Sequence, residues 1–161
     1  RVPQREQLAQ GSLRTIVGNT ELWLETQRRA LPAPAVRLID HIGVQLDALG
    51  LQLDRIGEDQ AGAAEIRKLV GEDLPGLVST YTAIPAHLRA EPRPGGGSPD
   101  EALTDSLGRI SGEIESVTRQ LASGAIDDLA IKARYLDYKY GGALEDQSGT
   151  AAGTRPTLPR G

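Results

Sequence analysis

The sequence predicts an all-α fold, namely an antiparallel helical bundle of about four to five helices with a kinked third helix. Two stretches carry apolar residues at alternating steps of three and four, which is the spacing of a bundle seam. No alternating run of β-branched and aromatic residues between turn signals predicts a strand. Aromatic residues make up only 3% of the 161 residues, so the core must be aliphatic.

The first two predicted helices are separated by a proline-containing break. A helix over residues 4–29 precedes the sequence LPAPA at 31–35, whose prolines disfavour helical conformation in the residues before them. The second helix covers about 35–57 and contains two near-copies of one heptad, VQLDALG and LQLDRIG. Its seam residues step by 3, 4, 3, 4, 3: Ile39, Ile42, Leu46, Leu49, Leu53 and Ile56.

The third helix is predicted to be interrupted. It begins over 61–71, and Asp73 is expected to cap a restarted helix that has Pro75 in its first turn. Pro85 should kink or end that helix. The stretch 91–99, which is rich in proline and glycine, is the clearest loop in the chain.

Two further helices are predicted after this loop. Ser98 and Glu101 form a capping box that begins a fourth helix, and Gly124 is expected to end it. A short fifth helix covers about 126–140. The seam of the fourth helix steps by 4, 3, 4, 3, 4: Leu103, Leu107, Ile110, Ile114, Val117 and Leu121.

These elements predict one helical domain over residues 1–141 and a flexible tail over 142–161. Within the domain, 1–31 holds the N-terminal helix and 35–141 holds the rest. The sequence does not begin with Met, so we expect it to be part of a longer protein.

The repeated heptad places an aspartate at the same position each time. With the seam at a and d, Asp40, Asp47 and Asp54 fall at b, on the flank away from the seam. Neighbouring members lie about 10.5 Å apart by helix rise, which is too far to share one proton or one metal ion. A solvated polar stripe is therefore favoured. Glycine costs about 1 kcal/mol of helix propensity, so the glycines at e predict close approach of a neighbouring helix: Gly43, Gly50 and Gly57.

Two pairs of residues are candidate contacts with a partner. Val44 and Leu51 occupy position f, opposite the seam, so the second helix either lies centrally in the bundle or offers a surface to another chain. Tyr135 and Tyr138 lie on one side of the last helix and form a second candidate surface. A different side of the same helix is predicted to be core: Leu129, Ala133, Leu136 and Tyr140.

Composition and charge limit the classes of function. The net charge of −4 argues against a nucleic-acid binder, and the absence of cysteine excludes thiol chemistry within this sequence. The two histidines, His41 and His87, lack ligands at metal-binding spacing, so we predict no metal, no cofactor and no catalytic residue. No apolar run approaches the roughly 18 residues that span a bilayer. The basic, tyrosine-rich stretch 132–140 leaves contact with an anionic membrane surface as an alternative.

The segment from AAEIRKLVGEDLPGL to LDYKYG resembles the bacterial 5-bromo-4-chloroindolyl phosphate hydrolysis (XpaC-type) family. In all, the resemblance covers roughly residues 35–141. The sequence Leu74-Pro75 followed by Leu77 and Tyr81 matches the break in the family pattern, and AIDDL at 125–129 matches its later step. The resemblance implies a helical cytoplasmic domain, often tethered by membrane helices outside this stretch. It also implies an association with TelA-type toxic-anion (tellurite) resistance proteins.

We therefore predict a non-catalytic helical interaction domain in a bacterial envelope-stress or toxic-anion resistance system. Its expected partner is a protein, either of the TelA type or a second copy of this chain. The alternative is a phosphohydrolase acting on a phosphate monoester, as the family name implies. That enzyme would need His87 close to carboxylates in a cleft.

Overall fold

The computed structural model describes residues 2–54 and 62–148, with side chains placed as far as residue 141. The predicted all-α helical bundle is confirmed, and these ranges contain no strand. The chain divides into two units, Arg1–Leu121 and Ala122–Gly161. The α-helices are α1 (Leu13–Gln27), α2 (Ala33–Leu53), α3 (Ala63–Lys68), α4 (Leu74–Thr82) and α5 (Pro99–Ser148).

The first helix begins later than predicted, at Leu13 instead of residue 4. A 3-10 turn, Arg5–Gln7, precedes it, and Gly11 adopts a positive φ of 94° between the two. The hydroxyl of Ser12 then accepts the N–H of Thr15 and caps the helix. Local turn and cap chemistry therefore overrides the apolar periodicity in the first twelve residues.

The core is mostly aliphatic, but it also contains two aromatic side chains, Trp23 and Tyr81, and α2 lies along it. The predicted α2 seam is buried from Ile39 to Leu53, whereas Ile56 lies outside the described residues. Burying one such side chain stabilises the fold by about 1.5–3 kcal/mol. The first part of α5 contributes four buried seam residues and two that are partly buried: Leu103, Leu107, Ile114 and Val117, then Ile110 and Leu121.

A buried polar pair fixes how α2 meets α5. The side-chain amide of Gln45 donates to the Ser111 carbonyl at 3.0 Å, and the Ser111 hydroxyl donates to the Gln45 amide oxygen at 2.9 Å. Both residues are buried in an otherwise apolar contact. Because an unpaired buried polar group is costly, this pair favours one register of α2 against α5.

The interruption of the third helix is a π-helical turn, Leu69–Asp73, between α3 and α4. The predicted Asp73 cap is wrong, because Asp73 has helical dihedral angles and makes no side-chain cap. The N–H of Leu74 donates to the Leu69 carbonyl, five residues back. Widening the turn in this way lets Pro75, which has no N–H and crowds a preceding carbonyl, remain within the helix.

The π turn leaves one buried carbonyl without a helical donor, and α1 supplies the missing bond. In the five-residue register, the carbonyl of Val70 would accept from residue 75, which is a proline. Instead the buried hydroxyl of Thr20 donates to the Val70 carbonyl at 3.1 Å. The same turn holds Gly71, where a Cβ atom would lie 3.0 Å from the Cα of Ala9. The N-terminal segment therefore packs directly on the π turn.

The loop between α4 and α5 is held by a network around Arg89. Its guanidinium donates to the carbonyls of Thr82 and Ile84 at 3.0 and 2.8 Å and lies 5.1 Å from the centre of the Tyr81 ring. The Tyr81 hydroxyl donates to the Asp100 carboxylate at 2.5 Å. Burial, followed by this contact with Asp100, raises the pKa of Tyr81 to about 12.

The predicted start of α5 is confirmed, but its predicted end is wrong. The N–H of Ser98 donates to the Glu101 carboxylate at 2.9 Å, and the Glu101 N–H donates to the Ser98 hydroxyl at 3.2 Å. The helix passes through Gly124 and continues to Ser148. A single glycine costs only about 1 kcal/mol, and no proline follows Gly124 within α5. Residues 142–148 of the predicted tail are thus helical, while 149–161 lie outside the described residues.

Candidate interaction surfaces

The aspartates of the repeated heptad face α1 and form a ladder with it. Arg14 forms an ion pair with Asp54, and Arg28 forms one with Asp40. Between these two pairs, Glu21 is hydrogen-bonded to Asp47. Residues 14, 21 and 28 are themselves one heptad apart, so two antiparallel helices meet at three evenly spaced rungs. The predicted solvated stripe is therefore exposed, as expected, but each aspartate also has a partner on α1 or, for Asp40, on the 3-10 turn Arg28–Ala30 that directly follows α1.

The central rung of the ladder joins two carboxyl groups. Burial, the hydrogen bond with Asp47 and the negative charges of Asp47 and Glu25 together raise the pKa of Glu21 from 4.5 to about 7. A protonated Glu21 donates to the Asp47 carboxylate, whereas two carboxylates repel each other. The outer rungs are exposed ion pairs, which contribute at most about 1 kcal/mol each. The ladder therefore specifies the register of α1 and α2 more than it stabilises them.

The α2 glycines do not serve the close helix contact that was predicted for them. A Cβ atom built on Gly43 or Gly50 would meet nothing within 4 Å, and Gly57 lies outside the described residues. Instead, Gly43 and Gly18 border a groove of about 280 Å³ between α1 and α2. Glu21 and Leu22 also line this groove, which places the raised-pKa carboxyl at an opening to solvent.

Val44 and Leu51 form an exposed apolar stripe, called here the α2 stripe. Val44 is 66% exposed and Leu51 is 69% exposed, although the other face of the same helix lies in the core. The interpretation in which α2 lies centrally in the bundle is therefore wrong for these positions. The alternative interpretation, a surface offered to another chain, stays a prediction.

The second unit carries a continuous row of exposed apolar side chains along α5. The face that was predicted to be core is exposed instead: Leu129 is 68% exposed, Leu136 51% and Tyr140 53%. Tyr135 and Tyr138, the other candidate contacts, are exposed too. The structure thus leaves two apolar sides of this helix open to solvent.

Neither histidine belongs to a group of ligating side chains that could hold a metal ion among the described residues. His87 lies exposed on a 3-10 turn, Ala86–Leu88, and His41 is exposed on α2. Within 2–54 and 62–148, no three His, Asp or Glu side chains are grouped so that they could hold a metal ion. A cavity of about 690 Å³ next to the glycine-rich loop has Arg93 and Arg109 in its wall, but Asp100, Glu101 and Asp105 line it as well.

Fold and surface together describe an all-α bundle with exposed apolar helix faces. No protein-family model matches the chain, and no curated protein or solved structure is significantly similar to it. The resemblance to the XpaC-type family therefore stays a prediction. In the part of the chain that the structure describes, no helix combines the length and the apolar character needed to cross a bilayer.

The sequence contains signals for two features that were not predicted from it. Arg14 and Glu21 of α1 and Arg28 directly after it repeat every seven residues, in step with the aspartates of α2. In α5, the steps of four and three from Ala122 to Tyr140 continue the helical periodicity past Gly124. Comparing heptad phases between segments would have predicted both the ladder and the uninterrupted helix.

Proposed function

We propose that this chain is a non-catalytic interaction domain that binds another protein through the α2 stripe. The observation that carries the proposal is the exposure of Val44 and Leu51 on a helix whose other face is fully packed. Covering these side chains would remove apolar surface from water, which favours binding. Tyr135 and Tyr138 provide a second, separate contact surface in the other unit.

The resemblance to the XpaC-type family supports a bacterial envelope-stress or toxic-anion resistance system as the setting. A TelA-type protein is the partner that this setting supplies. The domain then works in the cytoplasm, where segments outside this sequence tether it to the membrane. Its role is to bring a partner to that membrane.

Photo-crosslinking in the native cell tests the interaction. A photoreactive phenylalanine replaces Leu51 in one strain and Ala64, an exposed residue of α3, in another. The proposal predicts one discrete protein adduct from position 51, absent from position 64 and lost when Val44→Glu is added. The mass of the adduct distinguishes a TelA-type protein from a second copy. Failure to obtain any adduct at position 51 contradicts the proposed surface.

Tellurite tolerance tests the setting separately from the interaction. A strain carrying Val44→Glu/Leu51→Glu should lose tolerance as a deletion strain does. A strain with Ala64→Glu/Ser116→Glu, two exposed positions elsewhere in the bundle, should keep it. Unchanged tolerance together with a lost adduct would reject the toxic-anion setting but retain the interaction.

Purified protein tests the absence of catalysis. Incubation with an indolyl phosphate and Mg²⁺, Mn²⁺ or Zn²⁺ should give the same product with wild type and His87→Ala as the buffer alone gives. Metal-dependent turnover that His87→Ala abolishes would replace the proposal with the phosphohydrolase.

A further inference from the structure

The distal part of α5 carries an exposed row of apolar side chains with the spacing of a coiled-coil seam. Its apolar residues step by 4, 3, 4, 3, 4 from residue 122 to residue 140, which is nearly three heptads. Ala122 is partly buried and the others are exposed. This row, called here the α5 seam, consists of Ala122, Ile126, Leu129, Ala133, Leu136 and Tyr140.

The residue types along the seam favour a two-stranded pairing. If Ile126 is at a, then Leu129 and Leu136 are at d, and isoleucine at a with leucine at d is the combination typical of dimers. Ala133 and Tyr140 occupy the next two a positions. A second helix of the same period would therefore cover the seam along its whole length.

The charges beside the seam favour a second copy of this chain in parallel orientation. Lys132 falls at g and Asp137 at e. In a parallel pair in register, a g residue faces the e residue five positions later in the other helix, so Lys132 of each copy faces Asp137 of the other. An antiparallel pair centred on Ala133 would instead bring the two Lys132 side chains together.

The charged groups next to the seam are compatible with this pairing. Lys132 already forms an exposed ion pair with Asp128 of its own helix at 2.9 Å, and a lysine can contact two carboxylates at once. Lys139 lies over the rings of Tyr135 and Tyr140 at 5.8 and 5.5 Å. In the heptad register Lys139 falls at g, beside the seam.

We propose that two copies of this chain associate through the α5 seam as a parallel, in-register coiled coil. The inference goes beyond the proposed function, since it uses different residues from the α2 stripe and names the chain itself as the occupant. A dimer of this kind would present two α2 stripes at once. Each binding event at one stripe would then raise the effective concentration of the other.

Light scattering over a range of concentrations tests the association of the full chain. Wild type should move from the mass of one chain to the mass of two as concentration rises. Leu129→Glu/Leu136→Glu should raise the dissociation constant by more than about 100-fold, because two buried leucines are lost from each copy. The matched control Ile131→Glu removes an equally exposed apolar side chain on the same helix outside the seam and should still dimerise.

Exchanging the charges of Lys132 and Asp137 tests whether a second copy of this chain covers the seam. This test does not depend on removing apolar residues. Lys132→Glu alone and Asp137→Lys alone each place like charges across the pair and should weaken association by up to about tenfold. The double variant Lys132→Glu/Asp137→Lys restores opposite charges and should recover most of the loss. Equal weakening by the double variant would overturn the proposed pairing.

The absence of cysteine from the sequence makes orientation testable with one substitution. Ile126→Cys should form a disulfide-linked dimer on mild oxidation, while Ile131→Cys, outside the seam, should not. In an antiparallel pair centred on Ala133 the two copies of position 126 would be about 21 Å apart. If Ile126→Cys still dimerises by light scattering but forms no disulfide-linked dimer, the parallel arrangement is overturned.

Two results would overturn the self-association itself. One is a wild-type mass of a single chain at the highest concentration that stays in solution. The other is a monomer that sediments with vesicles containing anionic phosphatidylglycerol and loses this binding in Leu129→Glu/Leu136→Glu, which would make lipid the occupant. Neither result would affect the photo-crosslink expected at position 51, so the two proposals fail separately.

Discussion

Glu21 and Asp47 share a hydrogen bond between two carboxyl groups at the middle of the α1–α2 ladder. The rungs on either side are Arg14 with Asp54 and Arg28 with Asp40, so charge attraction holds the two ends. At the central rung, Glu21 and Asp47 attract each other only while one of the two carboxyl groups is protonated. The contact between α1 and α2 therefore depends on pH in a range where most surface carboxyl groups have already ionised.

Glu21→Gln should stabilise the protein above neutral pH, because the central rung of the ladder then no longer needs a protonated carboxyl group. The folded-state pKa of Glu21 is about 7 and its ordinary value is 4.5, so the folded protein holds more protons between these values. The free energy of unfolding therefore falls as pH rises from 4.5 to 7 and stays low above 7. In Glu21→Gln the amide donates to Asp47 at any pH. We expect a gain of about 1 kcal/mol at pH 8, allowing for solvent screening.

Urea unfolding at pH 5 and pH 8 measures this effect. Glu113→Gln, at an exposed position of α5, is the matched control and should leave the pH dependence of wild type unchanged. If Glu21→Gln has the same pH dependence as wild type, the carboxyl pair does not control the stability of this contact.

The heptad periodicity was sufficient to predict which face of α2 is buried, but it could not show what covers the other face. Ile42, Leu46 and Leu49 are buried as the spacing indicates. Val44 and Leu51 are apolar and exposed, so an apolar residue at f does not by itself indicate burial. Whether Val44 and Leu51 are buried depends on whether another helix is long enough and near enough to cover them. That is determined by the tertiary structure.

Helix ends were harder to predict than helix faces, because they depend on small energy differences. Gly124 can end a helix, yet the roughly 1 kcal/mol that it costs is offset when the residues on both sides continue the helix. Pro75 was expected to begin a restarted helix, but the π turn accommodates it without a break. That solution depends on Thr20, fifty residues before Val70 in the chain, which no local pattern around Pro75 reveals.

Glycine-to-alanine substitutions should have opposite effects at two helical sites. At Gly71 the new Cβ atom would lie 3.0 Å from the Cα of Ala9, so the N-terminal segment must shift, and we expect a loss of about 1–3 kcal/mol. At Gly43 nothing lies within 4 Å of the new atom, and the gain in helix propensity should be about 0.5–1 kcal/mol. Thermal unfolding compares them, and a stabilising Gly71→Ala would contradict the tight contact.

The buried pair of Gln45 and Ser111 should behave as a unit. Ser111→Ala removes the donor to the Gln45 amide oxygen and should cost about 1–2 kcal/mol. In the Gln45→Leu background the same substitution leaves no buried polar side chain without a partner, so its cost should fall to a few tenths of a kcal/mol. Urea unfolding of the four proteins in this cycle gives the coupling, and purely additive effects would show that the two side chains act independently.

The bond from Thr20 to the Val70 carbonyl should depend on the proline at position 75. Thr20→Val keeps the size of the side chain but leaves a buried carbonyl without a donor, which should cost about 1–3 kcal/mol. Pro75→Ala supplies an N–H five residues after Val70, in the register of the π turn. In that background Thr20→Val should therefore cost markedly less. Equilibrium unfolding of the four proteins measures the coupling, and Thr15→Val, at an exposed position on α1, is the control that should show none. An unchanged cost of Thr20→Val after Pro75→Ala would mean that the missing proline N–H is not what the Thr20 hydroxyl replaces.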